Sequence, residues 1–345
     1  MVEILECTIR DGSYAVGFSW TSEDVFNIVS ELSQAGFKHI EIGHGLGLGA
    51  SSKITQQLCS DDAYTKVAIK AKKESKIGAF FIPDIGTKED IKSFFDIGGD
   101  FIRIGTNVSF SEEAFEYIEY AKTLGLEVGF NFMKSYAVTP YELCKRAVEI
   151  EKCGVDYIFL VDSAGGMLPK QVSHYVSVLK DVLKVKVGFH GHNNLLMANA
   201  NSLAAIESGA EIIDATLMGI GRGAGNAQTE TMIVLLEESG YLRGINPLQV
   251  SKISEKYISS KTSGLKGSNG KELVLGYALF HDSNLKLIEK YSEEFSIDYQ
   301  RLIIEVGKVN KENPSEELIC NVAKQLCVSD RVHIPFPRFF HKEVK

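Results

Sequence analysis

Asp11, His190 and His192 are the residues whose types and spacing predict a metal site. Asp11 follows Arg10 just after the apolar run VEILEC (2–7), and the two histidines stand two residues apart in GFHGHNN (188–194). Side chains alternate along a strand, so both imidazoles point the same way. Two imidazoles and a carboxylate form a common open site for a divalent ion. For the two histidines, the alternative is that one lies in the core and the other at the surface. For Arg10 and Asp11, the alternative is a structural ion pair.

The elements that must bring these residues together are eight short apolar runs, which alternate with amphipathic segments up to about residue 240. Residues 21–36 show helix signals: an N-cap Thr or Ser, an acidic first turn and a closing Gly. Eight such pairs match a closed (β/α)₈ TIM barrel, whose buried parallel strands are apolar throughout. The candidate strands are residues 2–7, 39–43, 77–82, 100–105, 127–132, 156–162, 185–190 and 211–217.

Polar residues cluster where such a barrel builds its active site, at the C-terminal ends of its strands. Closure of the barrel brings the seventh strand within one strand of the first, so His190 and His192 are expected near Asp11. This coincidence indicates an enzyme. The polar residues that follow candidate strands are Arg10, Asp11, His44, Asp162, Ser163, His190 and His192.

The β/α alternation stops after about residue 245, and segments 274–295, 298–308 and 314–327 are predicted to be helical. We therefore expect a catalytic barrel over residues 1–243 and a helical C-terminal extension over residues 244–345. The polar, glycine-rich stretch 259–272 is predicted to be a flexible connection or a lid.

Composition excludes several classes of protein. Of 345 residues, 44% are hydrophobic and 24% charged, which is typical of a globular protein with a large core. The net charge of −8, without a basic patch, argues against a nucleic-acid partner. No apolar stretch suits a membrane span and no signal peptide is evident, so we expect a cytoplasmic protein. The six cysteines lack CxxC spacing and are expected to be free thiols.

Five motifs give the chain a recognisable pattern: TIRDG, IEIGHG, VDSAGGM, GFHGHNN and GIGRGAGNAQTE. In order and spacing the sequence resembles the divalent-metal 4-hydroxy-2-oxovalerate aldolases of the 3-hydroxy-3-methylglutaryl-CoA lyase-like group. The resemblance covers nearly the whole chain and includes the C-terminal stretch 287–310.

The resemblance implies a class II aldolase. It would cleave a 4-hydroxy-2-oxo acid into pyruvate and an aldehyde, or form the acid from these two compounds. Asp11, His190 and His192 would hold Mn²⁺ or Mg²⁺, and Arg10 would stabilise the metal-bound enolate. It also raises an acylating aldehyde dehydrogenase as a protein partner, and we expect a homo-oligomer.

Further residues are expected around this centre. Glu41 lies inside an apolar strand, so it should pair with Arg10 or another polar group. By resemblance, Asn226 should support the metal ligands, and Asp162 could orient Arg10 or a water.

Besides Arg10, three residues are expected to contact substrate: Ser163, His44 and Arg222. For His44 the alternative is a supporting position behind the pocket. For Arg222 the alternatives are recognition of an anionic substrate group and a solvated loop arginine.

The pattern breaks at the catalytic base. The family carries a histidine three residues after the metal aspartate, where this chain has Tyr14, and an active-site tyrosine where this chain has His281. A phenol is a poor base at neutral pH, whereas an imidazole is a good one. Our hypothesis is that the two residues have exchanged roles, with His281 as the base and Tyr14 as its hydrogen-bonding partner. The alternative is that both reflect a different substrate.

Two other functions stay open at this point. One is a Claisen-type synthase of the same barrel group, which condenses a 2-oxo acid with acetyl-CoA. The other is a non-catalytic barrel that has lost its base. The C-terminal similarity and the length favour the aldolase over the synthase. The intact set of Arg10, Asp11, His190 and His192 argues against a scaffold.

Overall fold

A closed barrel of eight parallel strands forms the core of the computed structural model, which describes residues 2–262 and 270–329. Each strand pairs with its neighbours in chain order, and β8 pairs with β1 to close the barrel. The predicted (β/α)₈ fold is confirmed, and each candidate strand overlaps an observed one. The strands are β1 Glu3–Glu6, β2 His39–Ile42, β3 Lys76–Phe81, β4 Phe101–Asn107, β5 Glu127–Met133, β6 Tyr157–Asp162, β7 Lys186–Gly191 and β8 Ile212–Ala215.

Helices surround the barrel and continue beyond it. The predicted helix 21–36 is confirmed as α1: Thr21 caps its first turn, and Gly36 ends it with φ of 102°. The helices are α1 Ser22–Ala35, α2 Ala50–Lys53, α3 Asp61–Ala71, α4 Lys88–Ile97, α5 Phe115–Leu124, α6 Pro140–Lys152, α7 Pro169–Val182, α8 Ala198–Glu207, α9 Thr229–Glu238, α10 Pro247–Tyr257, α11 Gly270–Ala278, α12 Leu285–Phe295, α13 Tyr299–Val309 and α14 Glu316–Ser329.

Apolar side chains fill both sides of the strands, as expected for a parallel sheet covered by helices. Outside the barrel they pack against the helices, and inside it a smaller cluster fills the interior. That interior cluster consists of Leu5, Cys7, Phe101, Tyr157, Phe159, Val161 and Ile212.

The C-terminal helices α11 to α14 build a second apolar core that begins at Val274. By contrast, α10 adds Val250 and Ile253 to the core of the barrel, so barrel packing continues past residue 243. The change of core therefore falls between α10 and α11. Residues 263–269 of the predicted loop 259–272, and residues 330–345 of the predicted extension, lie outside the described residues.

One helix prediction in the extension is wrong. Segment 274–295 is not continuous: α11 ends at Ala278, and Leu279 takes a left-handed conformation with φ of 50°. The Phe280 N–H returns to the Leu275 carbonyl, which closes the end of the helix. A short turn at Asp282–Asn284 then leads into α12. The interruption places His281 outside any regular helix.

The extension lies over the C-terminal ends of the barrel strands. Glu312 accepts hydrogen bonds from the Ser109 N–H and hydroxyl at 2.9 and 2.6 Å. Lys134 Nζ donates to the Glu312 carbonyl at 2.6 Å, and Arg222 pairs with Asp282. Within the described ranges, no helix is long and apolar enough to cross a membrane.

Candidate active site

The structure brings Asp11, His190 and His192 together at the C-terminal end of the barrel. One ligand atom from each lies within 4.8 Å of the others. Nε2 of His190 is 3.4 Å from Nε2 of His192 and 3.4 Å from Oδ2 of Asp11. Two buried imidazoles and a buried carboxylate that converge on one point make a ligand set suited to a divalent ion.

The orientation of His190 is set by Asp214, which the sequence analysis missed. Oδ2 of Asp214 lies 2.8 Å from Nδ1 of His190. A hydrogen bond from Nδ1–H to this carboxylate leaves Nε2 unprotonated and turned toward Asp11 and His192. This is the tautomer that a metal ligand needs.

Asn226 supports the carboxylate of the site. Its amide Nδ2 donates to Oδ2 of Asp11 at 2.8 Å, and its backbone forms a bridge with His192. Burial opposes ionisation of Asp11, but Arg10 and then the two imidazoles hold the pKa of its carboxyl well below the usual range. Asp11 is therefore ionised at neutral pH.

Arg10 pairs with Glu41, as the position of Glu41 inside an apolar strand predicted. Arg10 Nε donates to Oε2 of Glu41 at 2.6 Å, and its Nη1 lies 3.4 Å from Oδ1 of Asp11. The guanidinium also stands 4.9 Å from the ring centre of Phe80. Despite burial, Arg10 and then Arg103 lower the pKa of Glu41 to about 2.

Arg103 in β4 connects the two halves of the site, and the sequence analysis missed it. It donates from Nε and Nη2 to both oxygens of Glu41 at 2.7 and 2.6 Å, and from Nη1 to Asp214 at 2.7 Å. Its side chain is fully buried, so it serves the interior alone. The available signal was its charge in the apolar strand DFIRIG, the same signal that drew attention to Glu41.

The buried charged groups of the site carry a net negative charge, which a bound metal ion would reverse. The two guanidiniums of Arg10 and Arg103 face the three carboxylates of Asp11, Glu41 and Asp214, a balance of one negative charge. Burial lowers the pKa of His192 to about 4, so this imidazole is neutral at pH 7. A divalent ion would make the centre positive, which suits an anionic substrate.

A cleft with about 470 Å³ of empty space, part of it continuous with solvent, opens above this centre. The metal-site residues and Arg10 form its floor, and Phe80, Ile82 and Val161 supply apolar wall. Asn131 of β5 also lines it, with Oδ1 buried and without a hydrogen-bond partner in the described part of the chain. Sequence reasoning missed this amide, although a polar residue in the strand EVGFNF was a visible signal. Of the predicted residues, the cavity also takes in Tyr14, Ser163, Arg222 and His281.

Tyr14 lies against the backbone of Gly45 and below Arg222. A Cβ on Gly45 would stand 2.3 Å from the tyrosine ring, so this close approach requires glycine. The Arg222 guanidinium is 5.2 Å from the ring centre. Burial raises the pKa of Tyr14 to about 12, so it is a neutral phenol.

His281 reaches the same cavity from the extension. Its Nδ1 accepts the Ser283 backbone N–H at 3.2 Å and lies 3.0 Å from Ser283 Oγ. Nε2 has no partner among the residues described here. Burial, followed by the charges of Arg222 and Lys134, places the pKa of His281 well below the usual range. The imidazole is thus neutral at pH 7.

Two sequence predictions need correction. His44 is not among the described residues that line the cavity: its Nε2 contacts the Thr55 carbonyl at 3.0 Å and its Nδ1 accepts the Leu46 N–H at 3.0 Å, while its ring stacks on Phe18. Both nitrogens therefore order the loop after β2.

Asp162 does not orient Arg10. Its carboxylate accepts the N–H groups of Gly166 and Met167 at 3.2 and 2.9 Å and so organises the loop after β6. Burial raises the pKa of Asp162 to about 6. The neighbouring Ser163 does line the cavity, and its Oγ accepts the Lys134 N–H at 2.9 Å.

A closed (β/α)₈ barrel with one carboxylate and a His-x-His pair at its strand ends defines the class of this protein: TIM barrels with a candidate divalent-metal site at the strand ends. Residues 1–256 match the model of the HMGL-like family, and the chain belongs to that family. Curated relatives narrow the class further. A 4-hydroxy-2-oxovalerate aldolase of Moorella thermoacetica is 37% identical over 327 residues, which cover 94% of this chain and 96% of the relative.

A second relative of the same name, from Carboxydothermus hydrogenoformans, is 35% identical and covers 96% of this chain and 98% of its own length. The chain therefore belongs to the 4-hydroxy-2-oxovalerate aldolase family, whose members are carbon–carbon lyases. The barrel itself is shared more widely. The carboxyl transferase domain of Rhizobium etli pyruvate carboxylase superposes with a TM-score of 0.78 at 14% identity, over 95% of this chain and 60% of that one.

Proposed function

We propose that this protein cleaves a 4-hydroxy-2-oxo acid into pyruvate and an aldehyde, and catalyses the reverse condensation, with Mn²⁺ or Mg²⁺ as its ion. The observation that carries the proposal is the convergence of Asp11, His190 and His192 beside Arg10 on one cavity floor. Membership of the aldolase family supports it, and so does the C-terminal similarity to relatives that cover almost the whole chain. The synthase and the scaffold are not favoured by these relatives.

The chain's own residues would divide the work of cleavage. A divalent ion held at the cluster would supply Lewis-acid polarisation of the 2-oxo group. Breaking the C3–C4 bond moves an electron pair toward that oxygen, and the fixed guanidinium of Arg10 would stabilise the developing negative charge. Arg10 is held for this role by Glu41, so it needs no reorganisation during the reaction. Ser163 Oγ, at the cavity wall, could hydrogen-bond the substrate carboxylate.

Cleavage also needs a base that takes the proton from the 4-hydroxyl. Among the residues on the cavity wall, His281 fits because its imidazole is neutral. Its Nδ1 accepts the Ser283 N–H, which leaves the ring proton on Nε2, so the ring would act as a base in its other tautomer, with Nδ1–H donated to Ser283 Oγ and Nε2 free. Tyr14 is a neutral phenol at pH 7 and can only donate or accept a hydrogen bond there. We therefore propose His281 as the base and Tyr14 as the group that orients the hydroxyl.

Pyruvate release from racemic 4-hydroxy-2-oxopentanoate, followed with lactate dehydrogenase, tests the proposal. The protein would be stripped with a chelator and reloaded with Mn²⁺ or Mg²⁺. We expect metal-dependent release that Asp11→Asn abolishes, while Asp181→Asn, at an exposed site on α7, leaves it intact. Equal activity in the stripped and reloaded protein, or in Asp11→Asn, would contradict the proposal.

A further inference from the structure

We infer that the aldehyde this enzyme uses carries a carboxylate, and that Arg222 binds it. The inference deepens the proposed function and rests on it. Arg222 lies in the loop after β8 and lines the same cavity as the metal-site residues. Its side chain is 23% exposed, enough for solvent or a ligand to reach the guanidinium.

The guanidinium of Arg222 has hydrogen-bonding capacity to spare. Its Nε pairs with Asp282 Oδ1 at 2.5 Å, which uses one of the five N–H groups of the side chain. Neither Nη has a partner within residues 2–262 and 270–329. Arg103, by comparison, uses Nε, Nη1 and Nη2 on two carboxylates. A planar fork left open at a cavity wall matches a carboxylate in shape and charge.

The position of Arg222 assigns it to the aldehyde half of the substrate. Arg10 and the metal cluster occupy the floor, where the pyruvate half would bind. Arg222 instead contacts Asp282, which adjoins His281, and stands over the ring of Tyr14. If His281 and Tyr14 serve the 4-hydroxyl, the group next to both of them faces the substituent on C4. That substituent comes from the aldehyde.

The charges around the rim also favour an anion at this place. Lys134 adds a second cationic side chain there, and its Nζ donates to a backbone carbonyl rather than to a carboxylate. The carboxylate of Glu312 is already bound to Ser109. Asp282 is the one acid in contact with Arg222 among the described residues, and a substrate carboxylate would share or replace it.

The test is a ratio of kcat/KM values for condensation with pyruvate: succinic semialdehyde over butanal, which has the same carbon chain without the charge. We expect a wild-type ratio above about 10. Arg222→Met should lower it on the order of 10- to 100-fold, the loss typical of a charge-assisted hydrogen bond. Arg243→Met, at an exposed loop arginine, is the matched control and should leave the ratio unchanged. A ratio cancels any loss that both aldehydes share.

Asp282→Asn gives a second variant in case Arg222→Met fails to fold. It removes the carboxylate that competes for Arg222, so the ratio should rise several-fold. The inference would be overturned by a wild-type ratio near or below 1, or by variants that change kcat/KM for both aldehydes equally. Arg222 would then have only a structural role, as the ion-pair partner of Asp282 between barrel and extension. Condensation of butanal alone would still support the proposed aldolase. Failure of every aldehyde, with no pyruvate enolisation, would instead overturn the proposed function itself.

Discussion

Asp214 Oδ2 lies 2.8 Å from Nδ1 of His190, on the side of the ring opposite the nitrogen that faces Asp11. Arg103 joins the same Asp214 to Glu41, which in turn holds Arg10. One buried chain of ion pairs thus runs from a metal-ligating imidazole to the guanidinium that would stabilise the enolate. The two halves of the site are positioned by shared partners in the barrel interior.

Asp214→Asn should weaken metal binding. The amide can no longer accept the Nδ1–H as a carboxylate does, so His190 loses both its fixed tautomer and part of its basicity. Loss of such a partner typically lowers affinity about 10- to 100-fold. Competition of Mn²⁺ against a fluorescent chelator measures it, with Asp181→Asn as the control. Unchanged affinity would show that Asp214 serves Arg103 alone.

Arg103→Met should destabilise the fold strongly. Removing this side chain leaves Asp214 buried without its guanidinium partner and Glu41 with that of Arg10 alone, and breaking a buried pair typically costs about 3–5 kcal/mol. Urea unfolding at pH 7.5 measures the change. The control is Arg243→Met, which removes an exposed arginine and should change the free energy of unfolding by less than about 0.5 kcal/mol. A similar small loss in Arg103→Met would refute a structural role for the network.

His281→Gln and Tyr14→Phe separate the two candidate bases. We expect His281→Gln to lower kcat about 10²- to 10⁴-fold, the range for loss of a general base, and Tyr14→Phe to have a smaller effect. Because the pKa of His281 lies well below its usual range, the wild-type rate should stay flat from pH 6.5 to 8.5. Initial rates of 4-hydroxy-2-oxopentanoate cleavage measure both effects. If both variants retain full turnover, the exchange of roles is wrong.

Glu6 should make stability depend on pH. Burial raises the pKa of its carboxyl to about 7, although Thr8 and Thr229 donate hydrogen bonds to it. A raised pKa means that the folded state holds the proton more tightly, so this contribution is present at low pH and is lost as pH rises from 4.5 through 7. Glu6→Gln keeps a neutral side chain at every pH.

The measurement is the free energy of unfolding of wild type and Glu6→Gln at half-unit steps from pH 5 to 8. The difference in favour of the variant should grow with pH and level off above 7, at a value on the order of 3 kcal/mol. A difference that is constant across this range would show that Glu6 does not change its protonation state there.

The sequence predicted the barrel and the metal-site residues because both leave local signals. Parallel strands buried on two faces are continuous apolar runs, and His190 and His192 share a face by the period of a strand. The partners of these residues depended on barrel register, which no local pattern states. Arg103 and Asp214 meet only because β4 and β8 face each other across the interior.

Loop residues were the least predictable. His44 lies just after β2 and Asp162 ends β6, as catalytic residues do, yet the polar atoms of each bind the backbone of a neighbouring loop. The break at Leu279 depends on a left-handed residue that is not glycine, so composition gave no warning. A dehydrogenase partner, a homo-oligomer and the barrel boundary at residue 243 stay predictions of the sequence.

Proton exchange of pyruvate in D₂O tests the central claim most directly, because it needs no aldehyde. Proton NMR would follow the loss of the methyl signal in two samples. One is loaded with Mg²⁺ directly, and the other is first loaded briefly with Mn²⁺ and then exchanged into Mg²⁺. We predict exchange that requires both the ion and Asp11, and that disappears in Asp11→Asn. A methyl signal that persists while the ion is bound would contradict formation of a pyruvate enolate at this site.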